Sequence, residues 1–345
     1  MSTSGHAGSE PATAAVLTLG RPRPAAGDPV RIGLIGGGRM GRTHLQALAG
    51  APGVRIVAVA EPSSRAREEL TAAGHRVFAG CEQMLASAAV DAALIAAPSD
   101  QHRPIVAELA ARGVPMLCEK PLGVTAADAA AAVAAAAEHD VALQVGYWRR
   151  FVPALRELRA RIAGGELGEI YQLCCLQWDG EPPDPAFRAH SGGIAVDMAV
   201  HEIDQARWLT GQEFTSVSAV ACGAAGTSAE DPDAATILGA LSGGAATTIS
   251  LGRRFPHGDC CWVEVFGARG HERVEFMWGA AGDDVFTAAL RAQAEAFAAS
   301  LGGRRSDASD GDDAITALRV AECAREALID GRCHAVAAAD AAAVT

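Results

Sequence analysis

A glycine cluster between an apolar strand and a helical segment constrains this chain more than any other feature. Arg31-Ile32-Gly33-Leu34-Ile35 reads as a short buried strand, and Gly36-x-Gly38-x-x-Gly41 follows at once, opening a helical pattern that runs through Leu45 and Leu48. In such a turn Gly36 permits the tight reversal, Gly38 lets a ligand approach the backbone, and Gly41 lets the helix pack closely on the strand. The helix N-terminus behind the loop offers amide donors and the positive end of a dipole to an anion. A second strand, Val54–Ala60, ends at Glu61-Pro62. A carboxylate there accepts hydrogen bonds from the ribose of a dinucleotide, so Gly36, Gly38, Arg39, Met40, Gly41 and Glu61 are predicted to hold one. Glu61 repels a 2′-phosphate and favours NAD over NADP. Ser63-Ser64-Arg65 is the counter-signal, two hydroxyls and a guanidinium able to hold a phosphate, which keeps NADP as an alternative.

Apolar strands and helices continue to alternate as far as Val145: helix 63–73, strand 77–78, helix 83–87, strand 91–97, helix 104–112, strand 115–118, an Ala-rich helix 125–139 and strand 142–145. Continuously apolar strands separated by helices predict a parallel sheet covered on both faces, an N-terminal Rossmann domain over 30–147. Beyond Tyr147 the texture changes. Helices are expected at 152–163 and after Ser191-Gly192-Gly193, then alternating segments at 215–221, 234–241, 245–251, 262–266 and 271–276, and helices at 285–301 and 313–329. The expected fold class is therefore α/β overall, with a C-terminal α+β domain over 148–334 built on an open, mainly antiparallel sheet. Residues 1–29 and 335–345 read as tails, the first disordered.

Composition narrows the function. The 345 residues carry 29 Lys+Arg against 41 Asp+Glu, a net charge of −12, with no basic block. Such a chain is poorly suited to phosphate backbones or anionic membrane surfaces, so neither nucleic acid nor membrane is expected as a partner. The nine cysteines are odd in number and form no C-x-x-C pair. With no secretory leader pattern and no apolar stretch of about 18 residues, they read as reduced thiols in a soluble cytoplasmic protein.

Two further segments bear chemistry. Cys118-Glu119-Lys120-Pro121 follows the fifth strand, where loops line the ligand crevice of an open α/β sheet. An ammonium at Lys120 can hydrogen-bond a substrate oxygen and stabilise the alkoxide that forms as hydride leaves; a surface lysine before a proline turn fits these few residues equally well. The loop Pro98-Ser99-Asp100-Gln101-His102 precedes it, and His102 has no chemistry assigned by its sequence context. Further on, Asp197, His201, Asp204 and Trp208 fall at i, i+4, i+7 and i+11, one stripe at about 100° per residue. A His one turn from an Asp is a credible acid–base unit, the carboxylate orienting the imidazole; a merely wet helix face is the competing reading. A metal site using His190 or Glu202 lacks a third ligand on that face, and no metal is expected.

Taken in order, the glycine loop, Glu119-Lys120-Pro121 and Gly192-Gly193-x-x-x-Asp197-x-x-x-His201-x-x-Asp204 resemble the glucose–fructose oxidoreductase/inositol dehydrogenase/rhizopine catabolism family of NAD(P)-dependent oxidoreductases. The likeness covers about residues 31–334, with Ala96-Ala97-Pro98-Ser99, His102 and Val145–Phe151 also matching. Within the family, Ser191-Gly192-Gly193-Ile194 with Asp197-Met198 and His201 looks most like the myo-inositol 2-dehydrogenases. The resemblance implies Lys120, Asp197 and His201 as the catalytic group, with Asp197 tuning His201. It implies Pro98, Ser99, His102, Glu119 and Lys120 beside the cofactor, and Arg149 or Arg150 closing the substrate pocket. It also implies a cis Lys120–Pro121 bond and a homo-oligomer, tetramer or dimer, commonly a tetramer assembled through the open sheet face. One departure stands out: Gln177-Trp178-Asp179 precedes the double proline where inositol dehydrogenases often carry Arg-Asp, so Trp178 would offer a stacking face to a sugar ring in place of a cation. The segment around Trp278–Asp284 is also short.

The expected activity is hydride transfer between NAD and a secondary alcohol or ketone of a cyclitol or sugar. A ketosugar or nucleotide-sugar reductase is the alternative within the class. A non-catalytic NAD-sensing protein is the alternative outside it.

Overall fold

The computed structural model describes residues 28–222, 228, 231–279 and 281–337. The N-terminal tail expected over 1–29 and the last residues of the C-terminal tail lie outside these, apart from the short stretches that are described. The chain opens with β1 (Val30–Ile35), α1 (Arg39–Ala47), β2 (Val54–Ala60), α2 (Ser64–Ala72), β3 (Val77–Phe78) and α3 (Cys81–Ser87). It continues with β4 (Ala92–Ile95), α4 (His102–Ala111), β5 (Met116–Cys118), α5 (Ala126–Glu138) and β6 (Leu143–Val145). These six strands form one parallel sheet in the order β3-β2-β1-β4-β5-β6. Helices cover both faces, so β4 is an unbroken buried apolar run and β1 is apolar except for Arg31, which pairs with Asp91. The strand order reverses between β1 and β4, so a crevice opens at the carboxyl ends of those strands.

The second half comprises α6 (Pro153–Ala163), β7 (Ile170–Trp178), α7 (Pro185–Arg188), α8 (Val200–Thr210), β8 (Phe214–Cys222), β9 (Ala234–Leu241) and β10 (Ala246–Gly252). After these come β11 (Cys260–Gly267), β12 (Gly270–Trp278), α9 (Ala281–Leu301), α10 (Gly311–Asp330) and β13 (His334–Ala335). Its sheet runs β12-β11-β7-β10-β9-β8-β13, antiparallel except where β10 lies parallel to β7. The interior strand β7 carries no strong alternation of apolar residues, so the sequence predicts no strand there. Pairing on both sides decides its conformation. One face of the sheet packs on α8 and α10 through Leu173, Cys175, Ile237, Ile249, Val263 and Val265, all buried. The other face carries the exposed Val220, Leu238 and Phe266.

The boundary expected at 147/148 divides the sheets but not the cores. Helix α9, late in sequence, sends Ala294, Phe297 and Ala298 into the core formed by β1, β2 and α1, and Arg291 donates to the carbonyls of Ala47 and Ala49. Helix α10 likewise packs on α5, with Glu322 accepting from the Ala126 amide at 3.0 Å. The two halves are thus clamped around the crevice by helices that return from the second to the first.

Candidate active site

The nucleotide end is built from backbone. Gly36 has φ +96°, and a Cβ on it would lie 2.5 Å from the Ala96 carbonyl oxygen, so only glycine turns the chain here. A Cβ on Gly41 would overlap the Gly36 carbonyl. Gly38, the N-cap of α1, has open space where a Cβ would be; no side chain caps the helix and no acid stands in its first turn. Its free amides and dipole therefore face an empty approach suited to a pyrophosphate. Arg39 is exposed at this helix start and Met40 packs half-buried behind it. Glu61, just past β2, is held by two backbone donors, Gly37 N–H to Oε2 at 2.7 Å and Ser63 N–H to Oε1 at 2.8 Å. Each oxygen keeps a lone pair for a ribose hydroxyl. The phosphate-holding alternative is spent elsewhere: the Ser63 hydroxyl caps α2, and the exposed Arg65 pairs with Glu69 at 3.1 Å. Glycine cradle and acid fit NAD.

Two loops at the carboxyl ends of β4 and β5 wall the crevice beyond the glycine cradle. Pro98 and the buried Ser99 sit in the first, and both ring nitrogens of His102 are engaged by backbone carbonyls. The ring is buried between the Pro121 carbonyl, 2.7 Å from Nδ1, and the Ala97 carbonyl, 2.9 Å from Nε2, and so straps one loop to the other. Burial lowers its pKa, and a neutral ring donates to one carbonyl at a time. Glu119 is likewise turned inward: Oε1 lies 2.7 Å from His44 Nε2 and Oε2 accepts the Lys120 amide at 3.2 Å, so it braces the loop. The Lys120–Pro121 peptide is cis.

Lys120 emerges from this brace into the crevice. Its Nζ donates to the Asp197 carbonyl at 2.7 Å and stands 3.7 Å from Asp197 Oδ1. It is the only lysine in the chain, every other member of the 29 Lys+Arg being arginine, a compositional signal that no motif carries. Asp197 lies in a π-helical turn, Ala195–Ala199, leading into α8, and its Oδ2 accepts from the buried Arg253 at 3.1 Å. His201, at the start of α8, is buried against Tyr147 and Trp148, and its Nδ1 is buried without a partner. Burial, then the cations of Lys120 and Arg149, hold its pKa well below the usual 6.5. The expected coupling of Asp197 to the imidazole is absent; Asp197 serves two cations instead. Sequence reasoning also passed over Asp179, at the carboxyl end of β7. Burial, with Asp259 and Asp197 nearby, raises its pKa.

Other expected residues lie elsewhere. Arg149 is consumed by Glu202, by Gln205 at 3.3 Å and by Gln177 at 2.9 Å; Arg150 grips Asp204 through two bonds, 3.0 and 2.5 Å, and Asp313 at 2.9 Å. Both are buried struts, not pocket closers. Asp204 and Trp208 leave the stripe with them, Trp208 lying under the Arg159 guanidinium at 5.0 Å. Trp178 is also corrected. Side chains alternate along β7, so Cys175 and Gln177 face the helices, while Trp178 faces the open side, its Nε1 donating to Ser250 at 3.1 Å. It offers no face to the crevice. Because Arg150→Met leaves Asp204 buried and unpaired, it is expected to cost about 3–5 kcal/mol in urea unfolding.

Comparison with known proteins gives a consistent picture. The profile described as "Oxidoreductase family, NAD-binding Rossmann fold" matches residues 30–147, and that of the GFO/IDH/MocA C-terminal domain matches residues 155–272. The rhizopine catabolism protein MocA of Rhizobium meliloti is 47% identical over 300 residues, 86% of this chain and 95% of that protein. An inositol 2-dehydrogenase of Rhizobium meliloti strain 1021 is 30% identical over 88% of this chain and 98% of its own length. The crystal structure of a myo-inositol dehydrogenase from Corynebacterium glutamicum superposes with a TM-score of 0.79 at 26% identity, covering 90% of this chain and all of that one.

Proposed function

The chain belongs to the GFO/IDH/MocA family of NAD-binding oxidoreductases and acts on CH–OH groups with NAD, and from this we propose that it interconverts a secondary alcohol of a cyclitol and the corresponding ketone, with Lys120 and His201 as the catalytic residues. The observation that carries this assignment is a buried imidazole, its pKa held well below the usual range by burial and by the charge of the chain's only lysine, Lys120, at the mouth of the parallel sheet. NAD, when bound, supplies the hydride acceptor. Lys120 has three donors; one is engaged by the Asp197 carbonyl, and a free one meets the substrate oxygen and stabilises the negative charge that develops on it. His201 takes the hydroxyl proton on Nε2, the ring nitrogen left accessible, as the carbon gives up its hydride. Asp197 keeps Lys120 in place, and Asp179 accepts from a second ring hydroxyl. In the reverse direction the same groups return proton and hydride to the ketone.

Relatives named inositol 2-dehydrogenase and scyllo-inositol 2-dehydrogenase (NAD(+)) support a cyclitol over an open-chain polyol. All nine cysteines are free thiols, and no described helix is long and apolar enough to cross a membrane, which support a cytoplasmic setting. The exposed Val220, Leu238 and Phe266 on the uncovered sheet face support a homo-oligomer assembled there. Absorbance at 340 nm with NAD+ and a panel of inositols near pH 9 tests the assignment. Turnover of a cyclitol with NAD+ in preference to NADP+ is expected. Silence across the panel with NADH binding intact would overturn it in favour of a ketosugar reductase or a sensor.

A further inference from the structure

Arg253, directly after β10, belongs to no motif, yet its side chain is fully buried between two acids. One nitrogen donates to Asp197 Oδ2 at 3.1 Å and another to Asp231 Oδ1 at 3.0 Å. Asp231 is anchored in turn by Arg188 of α7 at 2.6 Å, and Asp233 by the same arginine at 2.9 Å. The Arg253 amide donates to the Asp233 carbonyl at 2.9 Å, which fixes where the guanidinium stands. Asp197 therefore has two cationic suitors. Arg253 holds it by a direct hydrogen bond, whereas the Lys120 ammonium stands at 3.7 Å from the other oxygen. A carboxylate released from Arg253 would close onto Lys120, because an opposite charge in a partly buried site is the strongest partner left to it.

We propose that Arg253 is a positioning residue that withholds the Asp197 carboxylate from Lys120 and so keeps the ammonium free for the substrate oxygen. Its kinetic effect rests on the dehydrogenase function proposed above; its geometric effect does not. Because Lys120 is the only lysine, selective 13C,15N-lysine labelling of the full chain gives a single side-chain signal. In Arg253→Met the Lys120 signal is expected to shift toward that of a contact ion pair, and the additional substitution Asp197→Asn is expected to abolish the shift. With a substrate in hand, Arg253→Met lowers kcat about 10- to 100-fold, an oxyanion-donor loss attenuated because the lysine remains present. The NADH Kd stays within about twofold, Arg253→Lys recovers part of kcat, and Asp231→Asn, which spares the Asp197 arm, stays near wild type. An unmoved lysine signal in folded Arg253→Met overturns the proposal, as does a kcat loss that tracks weakened NADH binding equally in the Lys and Met variants. Should Arg253→Met not fold, Arg253→Gln, which removes the charge and adds no second lysine, against Asp231→Asn decides: equal lysine signals in the two contradict it. A wild-type enzyme that turns over no polyol, with the lysine shift still present, would refute the dehydrogenase assignment and leave the Arg253 geometry standing.

Discussion

Lys120→Met is expected to lower kcat by about 10²–10³-fold, the usual loss when one preorganised donor to a developing oxyanion is removed. NADH binding should persist, because the cradle at Gly36–Gly41 and the carboxylate of Glu61 are held by contacts that do not involve Lys120. Lys120→Arg should fare no better than methionine. The loop is braced by Glu119 and His102 so that a compact ammonium reaches the Asp197 carbonyl, and a planar fork with a longer reach would either displace Asp197 or bond it bidentately. A chain that uses arginine at every other basic position and lysine here is consistent with a need for that chemistry. Steady-state rates at 340 nm with a fluorescence titration of NADH check both parts. Full activity in Lys120→Arg would show that only the charge matters.

His201→Asn is expected to lower kcat/KM for alcohol oxidation by about 10²–10⁴-fold, the range for loss of a general base. The pH dependence is the sharper readout. Oxidation requires the neutral ring, and burial with the Lys120 and Arg149 cations keeps it neutral until well below pH 6.5. The wild-type rate should therefore show no loss near 6.5 as pH falls, only further down, and the asparagine variant should lack that limb. Stability follows with a defined sign. The folded ring resists a proton that the unfolded ring accepts at about 6.5, so this contribution is complete above that pH and declines below it, by about 1.4 kcal/mol per pH unit until the folded pKa is reached. His102, with its pKa also lowered by burial, adds in the same direction. Urea unfolding from pH 7.5 to 5 should show a shallower loss in His201→Asn than in wild type.

The parts of the fold and site that were legible in the sequence are those set by local rules. Glycines at Gly36, Gly38 and Gly41 answer to backbone geometry within one turn, and the apolar strands answer to burial between helices, so the parallel sheet and the glycine loop after β1 follow directly, whereas the strand order rests on pairing that no local pattern shows. Lys120 was placed by the same topology. The polar stripe failed at its start because an ideal 100° step does not hold through the π turn at Ala195–Ala199, a widened turn that hands the Asp197 carbonyl to Lys120. Asp204 and the two arginines failed for a tertiary reason: Arg149 and Arg150 meet α8 across the core, and no spacing within either segment shows that pairing. Trp178 would have been assigned outward had β7 been read as a strand, since period-two alternation sets it opposite Gln177 and leaves Asp179 at the carboxyl end. Arg253 has no signature at all; its role exists only where β10 ends beside Asp197 and Asp231.

Hydride transfer from a ring carbon through the crevice of Lys120 and His201 is tested most directly by isotope transfer. The cyclitol that turns over would be supplied with deuterium on the carbon being oxidised, and the NADH formed would be analysed by NMR. Deuterium on the nicotinamide ring, on one face only, is expected from wild type, with a lowered rate where chemistry limits turnover. The His201→Asn protein should bind NAD+ and form almost none of this product. Deuterium recovered in water instead of in NADH, or labelled NADH formed as fast by His201→Asn as by wild type, would contradict the assignment.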